Sequence, residues 1–306
     1  FMKMFNFLNG SILNQDDFIL EDRKAYIKDF LYSNSVTLIY SPPKQGKTWL
    51  GYGITTTLAK RDDIRAIIYV DMDNGLTSLN ERSINNKLIP IPKVRYVSRA
   101  KIDCSPIEYL KRIDDEALRN NYHDVVFVLE TTKDFIDTDS KSQSEDFMKI
   151  VMRMRDAGAT VIIMHHATKT GKTISGVQVF INSPDNVYEM IQKAKETDKL
   201  HFMLSVTHAR TLVKDIGLTV STKTLELEKL DEVYATMSEY EESFVRAAKD
   251  TLEKYPEGLG QTELLNNIGF EKTDKTARDT LEKFTDKFWS KHQEKKGKPI
   301  TYTLIC

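Results

Sequence analysis

Eight residues, SPPKQGKT from Ser41 to Thr48, put a glycine, an ammonium group and a hydroxyl in immediate succession. Gly46 lets a backbone come close to an anion, because it carries no Cβ and tolerates positive φ. Lys47 brings a positive charge within reach of β- and γ-phosphates, and the Thr48 hydroxyl is suited to ligating Mg2+. Ser41, Pro42, Pro43, Lys44 and Gln45 form the turn that leads into them, and Trp49 follows. The apolar run VTLIY before the turn and the helix-like WLGYGITTTLAK after it are the flanks that a phosphate-binding loop needs. Ser41 stands where the usual pattern begins with glycine.

Such a loop needs partners. An acidic residue at the end of an apolar strand holds magnesium through water, and DVVFVLE supplies Glu130, with Asp134 and Asp137 as substitutes if the strand ends later. Hydrolysis also needs a carboxylate that orients the attacking water. IIYVDMDNG offers Asp71 and Asp73 for that role. VIIMHHATKTGK ends an apolar run in His165 and His166, where a polar side chain can sense a γ-phosphate and move the loop after it. Zinc binding by this pair lacks further ligands nearby. FMLSVTHARTL places His208 and Arg210 two apart on an extended segment, so both project to one face. That face is either an arm toward a neighbouring subunit or an exposed strand end.

The elements that must position these groups follow from periodicity. Short β-branched runs at 36–40, 66–73, 94–97, 124–130 and 159–166 alternate with helix-like stretches at 49–60, 76–87, 106–120 and 144–157. Near-continuous apolar strands spaced by helices predict an α/β fold with a mainly parallel sheet covered on both faces. After Pro184 four runs lie close together with polar turns between them, which predicts antiparallel edge strands. Near residue 238 the sheet signal stops. Helix, turn, helix, longer helix and a basic hairpin follow, the order of a winged helix; a small helical cap on the sheet fits the pattern equally. The expected division is 1–35, an N-terminal segment; 36–237, the core; and 238–306, the winged-helix-like unit.

Composition narrows the classes. Of 306 residues 29% are charged and the net charge is −1, so overall charge does not advertise nucleic acid or membrane, and any basic surface is local. No stretch approaches the ~18 apolar residues of a membrane span. The opening residues show no signal-peptide pattern. Two cysteines, Cys104 and Cys306, suit a reducing compartment and cannot form a zinc site alone. The expected location is cytoplasmic.

Taken together, SPPKQGKT, the strand-end HHATK and the downstream HAR resemble the RecA-fold ATPases, and among them the hexameric replicative helicases of the plasmid RepA and DnaB-like group, over roughly residues 15–230. The resemblance implies a RecA-like core that binds ATP and Mg2+. It places the catalytic carboxylate at Asp73, where relatives usually carry glutamate, the γ-phosphate sensor at His166 and the metal carboxylate at Glu130, where relatives carry aspartate. His208, in place of a more usual lysine, and Arg210 would reach the adjacent subunit's nucleotide in a homo-hexamer or other ring. Loops around 133–141 and 169–173 would line a central channel for single-stranded DNA, with Lys169 and Lys172 as phosphate contacts. Beyond the span of the resemblance, Lys287, Lys291, Lys295, Lys296 and Lys298 cluster against only Glu294, and this basic end is either a contact for duplex phosphate through the last helix and wing or a solvated charged surface. The implied function is an ATP-dependent DNA motor in replication or recombination of a plasmid, phage or mobile element. A nucleotide-gated DNA-binding or loader protein with little hydrolysis is the alternative, and a metabolic phosphate-loop kinase a third.

Overall fold

The structure, a computed structural model, describes residues 23–117, 121–168, 173–195, 197–293 and 300–305. Lys169, Lys172, Lys295, Lys296 and Lys298 lie outside the described residues. A small antiparallel pair, β1 (Ala25–Ile27) and β2 (Leu31–Tyr32), precedes β3 (Val36–Ser41) and α1 (Lys47–Ala59). Next come β4 (Ala66–Asp71), α2 (Leu76–Glu81), α3 (Ile84–Lys87), β5 (Val94–Ser98), α4 (Pro106–Ala117) and β6 (Val125–Glu130). They are followed by α5 (Thr132–Phe135), α6 (Lys141–Asp156), β7 (Thr160–His166) and α7 (Val179–Asn182). Four strands then run in succession: β8 (Asn186–Lys195), β9 (Lys199–Ala209), β10 (Ile216–Ser221) and β11 (Leu227–Lys229). The last part holds α8 (Glu232–Ala235), α9 (Glu239–Leu252), β12 (Leu259–Gly260), α10 (Gln261–Asn267), α11 (Lys275–Lys283), β13 (Trp289–His292) and β14 (Thr301–Leu304).

Nine strands form one mixed sheet in the order β11-β10-β9-β8-β3-β7-β6-β4-β5. From β8 to β5 all neighbours are parallel, and from β8 to β11 all are antiparallel. The α/β class and the antiparallel edge match the reading of the sequence. Limits of the five parallel strands read from 36–166 agree to within two residues, whereas the last edge run, 224–230, shortens to Leu227–Lys229. The predicted helix over 76–87 is instead two helices, broken at Ser83, whose φ is +56°. An unbroken helix would set Leu79 and Ile84 about 140° apart around its axis; the break lets both bury against the same core.

Alternation along the strands sorts the core into two layers. Ile39, Ile67, Tyr69, Val126, Ile162 and Met164 face α1. Leu38, Val70, Phe127, Leu129, Val161 and Ile163 face the opposite side, where α4 and α6 contribute Leu110, Phe147 and Val151. α1 lies unusually close to the sheet, because a Cβ on Gly51 would stand 2.7 Å from the Tyr69 hydroxyl.

A third apolar cluster gathers α9, α10, α11 and the small β12-β14-β13 sheet around Phe244, Leu264, Leu281, Trp289 and Tyr302. Leu230, Tyr234 and Met237 belong to it, so this packing begins a few residues before 238. Ser238 caps α9 with a reciprocal Glu241 bond, which fixes where that helix starts. Among the described residues no helix is long and apolar enough to cross a membrane.

Phe244 is buried and packs its ring 5.4 Å from Phe270. Phe244→Ala should therefore cost about 3–5 kcal/mol of stability, read by chemical denaturation followed by circular dichroism. A loss below about 1 kcal/mol would mean that the third cluster is not a packed core.

Candidate functional site

Strand alternation also decides which polar groups meet. On β3, β4, β6 and β7 the residues in phase with the α1-facing core positions are Ser41, Asp71, Glu130 and His166. All four sit at the carboxyl ends of parallel strands. Ser41 is in register with His166, and Asp71 with Glu130. The crevice beyond such strand ends is where ligands bind in open α/β sheets. Here it is a cleft of 590 Å3 that reaches from Lys47 and Thr48 past Asp73 and Glu130 to Gln192 and Thr222.

The loop between β3 and α1 frames the cleft. Lys44 and Gly46 both have positive φ, 66° and 81°. Alternating handedness of this kind turns successive N–H groups toward one concave side, a shape that takes anions. α1 begins at Lys47 with no acidic residue in its first turn, so its positive end faces the same space. A side chain at Gly46 would place its Cβ 2.9 Å from the Phe202 ring. Gln45 is tied outward, its Oε1 accepting the Gln192 N–H at 3.1 Å. Pro43 lies on the far side of the loop against a separate 330 Å3 cavity beside His165. Trp49 stands in the cleft wall beneath the Arg82 guanidinium.

The Lys47 ammonium is nearly buried. It donates to the Ser41 carbonyl at 2.9 Å, to Ser41 Oγ at 3.0 Å and to the Pro42 carbonyl at 3.1 Å. Burial lowers its pKa to about 8, against the pull of Glu130 and Asp73. A phosphate would offer this group formal negative charge in place of neutral carbonyls. Ser41 thus takes up with its side chain and carbonyl a position that glycine usually fills.

His166 Nδ1 lies 3.4 Å from the Lys47 ammonium. Because the ammonium can only donate, Nδ1 is the acceptor and the proton sits on Nε2. That Nε2 is buried with no hydrogen-bond partner among the described residues. Burial first, then the Lys47 and Lys133 charges, lowers the His166 pKa to about 4, so the ring is neutral at physiological pH. His165, one residue earlier, faces the other side of the sheet, with Nε2 2.8 Å from the Ser175 carbonyl and its ring against Phe180. The adjacent histidines therefore have separate environments and do not form a paired metal site.

Glu130 is fully enclosed. Thr48 Oγ1 donates to its Oε1 and the Tyr69 hydroxyl to its Oε2. Burial, then the neighbouring Asp71 carboxylate, pushes Glu130 up to about 7. Asp134, on α5, accepts from the Thr131 hydroxyl just before the helix and Asp137 caps the following turn, so neither takes the place of Glu130. Among the described residues no three His, Cys, Asp or Glu side chains form a metal cluster. The Thr48–Glu130 pair nonetheless suits Mg2+, which takes one or two protein oxygens and fills its shell with phosphate and water.

The two aspartates of DMD have different tasks. Asp71 is buried and receives the Asp73 and Asn74 N–H groups at 3.0 and 2.9 Å, as well as the Tyr96 hydroxyl. It shapes the turn. Asp73 projects past the strand end into the cleft, 39% exposed, with the Lys133 ammonium 3.7 Å away. Lys133 itself lies on α5, where an open loop was expected.

His208 and Arg210 are elsewhere. β9 runs antiparallel to β8, so its first residues lie beside the β3–α1 loop and its last at the opposite end of the sheet. Arg210 is eight residues beyond Phe202, or about 25 Å at ~3.3 Å per residue. Its guanidinium donates to the Asn182 carbonyl. His208 Nε2 is buried without a hydrogen-bond partner among the described residues. Neither can serve the cleft of its own chain.

Several residues of the site lie outside the motifs singled out in the sequence. Arg82 reaches the cleft from the break after α2 and donates to Asn74 Oδ1 at 2.9 Å. Tyr52 and Tyr69, both buried, and the partly buried Tyr96 pack together behind the carboxylates, Tyr69 and Tyr96 with ring centroids 5.0 Å apart. Alternation alone could have found Tyr69, which shares its phase with Asp71.

The raised Glu130 pKa has a defined consequence. A carboxyl whose folded pKa exceeds its unfolded value of ~4.3 contributes stability at low pH that is lost as pH rises through the folded pKa. Stability should therefore fall between about pH 4.5 and 7. Glu130→Gln should flatten this fall and melt above the native chain at pH 8, by calorimetric scans in magnesium-free buffer. Parallel pH profiles in the two proteins would contradict the assignment.

No protein-family model matches the chain, and no curated protein matches it significantly.

Proposed function

We propose that this chain is an ATP-dependent, DNA-associated motor, with a RecA-like core and a C-terminal winged-helix unit, working as a ring of identical subunits. One observation carries the reading: Lys47, Thr48, Glu130, Asp73 and the neutral His166 converge on one cleft at the carboxyl ends of parallel strands. Lys47 would neutralise the β- and γ-phosphates, and Thr48 with Glu130 would hold Mg2+. The metal would supply charge neutralisation on the phosphate oxygens. Asp73 would orient the attacking water, and the neutral His166 would sense the γ-phosphate beside Lys47. Positive charge on the far side of the γ-phosphate comes from Arg210 of a neighbouring subunit, since the chain's own Arg210 stands at the other end of its sheet.

The DNA component rests on the resemblance. In the C-terminal unit Lys291 is held by Glu282 at 2.8 Å, and the Lys287 ammonium lies over the Phe284 ring. These two cations are engaged within the fold, which leaves the duplex-contact expectation to Lys295, Lys296 and Lys298.

ATP hydrolysis with and without single-stranded DNA tests the proposal. The native chain should hydrolyse ATP faster with DNA, and Lys47→Ala should lose turnover while keeping its circular dichroism. Asp73→Asn should bind ATP and lose most turnover, and Asp73→Glu should keep it. ATP binding without DNA-stimulated turnover would favour the nucleotide-gated loader, and phosphate transfer to a small acceptor the kinase.

Mixing tests the shared site. Arg210→Ala and Lys47→Ala proteins should each be inactive, since a supplied arginine is worth about 10³–10⁵ in rate. Together they should recover hydrolysis where an intact loop faces an intact Arg210. Exchange of subunits without recovery would overturn the shared site.

A further inference from the structure

The hairpin of β8 and β9 is one strand layer thick, and its two faces have different neighbours. Toward the cleft, the Gln192 N–H bonds Gln45 of the phosphate loop, Leu200 lines the cleft and Phe202 packs against Gly46. On the other face, His201 stacks on Tyr234 with ring centroids 4.3 Å apart and planes within 14°. Ala194 packs against the C-terminal cluster. Lys193 pairs with Glu242 of α9 at 3.1 Å, with side chains only 21% and 11% exposed. Such a desolvated pair is screened far less than a surface one.

The alternation makes this contact direct. Leu200 and Phe202 flank His201 in sequence, so a displacement of the backbone that moves one face moves the other. A register shift between Gln192 and Ala194 leaves Lys193 as the extra residue of the strand. That bulge turns Lys193 toward α9 while Gln192 still meets the loop. Beside these contacts a 360 Å3 crevice separates Thr197 and Asp198 from Arg246 and Asp250. It leaves α9 room to shift against the hairpin without breaking a continuous packed surface.

We propose that the C-terminal unit regulates the nucleotide cleft of its own chain, through the β8–β9 hairpin that each grips from one side. This rests on the nucleotide reading of the cleft. Because linkage is reciprocal, whatever binds and displaces the C-terminal unit changes nucleotide affinity by the factor by which nucleotide changes that binding. A coupling of ordinary size would be about fivefold or more.

The test uses the full chain, with magnesium and β,γ-imido-ATP as ligand. Calorimetry first establishes binding, and amide hydrogen exchange then compares residues 239–252 with and without ligand. Exchange in α9 should change by about fivefold or more in the native chain and stay constant in Lys47→Ala. Lys193→Met and Tyr234→Leu should each shift the ligand's Kd by a similar factor, and Tyr234→Phe, which keeps the stacked ring, should restore it. Should Tyr234→Leu disturb the C-terminal cluster, Lys193→Met carries the same test from the core side. Ligand heat with unchanged α9 exchange and unchanged Kd in both variants would overturn the coupling and leave the nucleotide site standing. No ligand heat in the native chain would overturn the nucleotide reading and the coupling with it.

Discussion

A β-strand can show only every second residue to a given side, and the chemistry of this protein depends on that limit. The apolar phase of β3, β4, β6 and β7 is fixed by packing against α1. Once Ile39, Tyr69, Val128 and Met164 are committed to that face, Ser41, Asp71, Glu130 and His166 have no other direction to take. A slip of one residue in any strand would exchange Glu130 for Leu129, or His166 for His165. Core burial thus enforces the polar cluster, and the polar cluster costs stability in return, through a desolvated ammonium and two adjacent carboxylates.

The tyrosines behind the site limit that cost. Tyr69 and Tyr96 each donate a hydroxyl to one carboxylate, and Tyr52 joins their rings on the α1 side. Hydrogen bonds to a buried carboxylate favour its charged form. The same hydroxyls leave Glu130 and Asp71 few rotamers, so the pair is held in place before any ligand arrives.

Much of this was legible in the sequence, and the reasons are local. The loop between β3 and α1 is read from eight consecutive residues, and the strands from runs that are short, rich in β-branched residues and bounded by turns. The antiparallel edge was visible because its turns are short. Glu130 and Asp73 could be proposed from strand ends alone. Other features depend on contacts distant in sequence. Nothing near Arg82 announces that a helix break will aim it at the cleft. The different fates of Asp71 and Asp73, or of His165 and His166, require the phase of the strand relative to α1. That Arg210 stands far from its own loop follows only from the direction of β9, which a linear reading leaves open.

The chain has two tryptophans, and the fold assigns one to each region. Trp49 is half-buried in the cleft wall, with the Arg82 guanidinium 5.8 Å from its ring and Tyr52 at its edge. Trp289 is fully enclosed among Phe284, Phe288 and Phe244, with its indole N–H on the Leu281 carbonyl. Their emission should differ in colour and in access to a soluble quencher. Optical measurements on the unlabelled molecule can therefore follow the cleft and the C-terminal cluster as two separate signals.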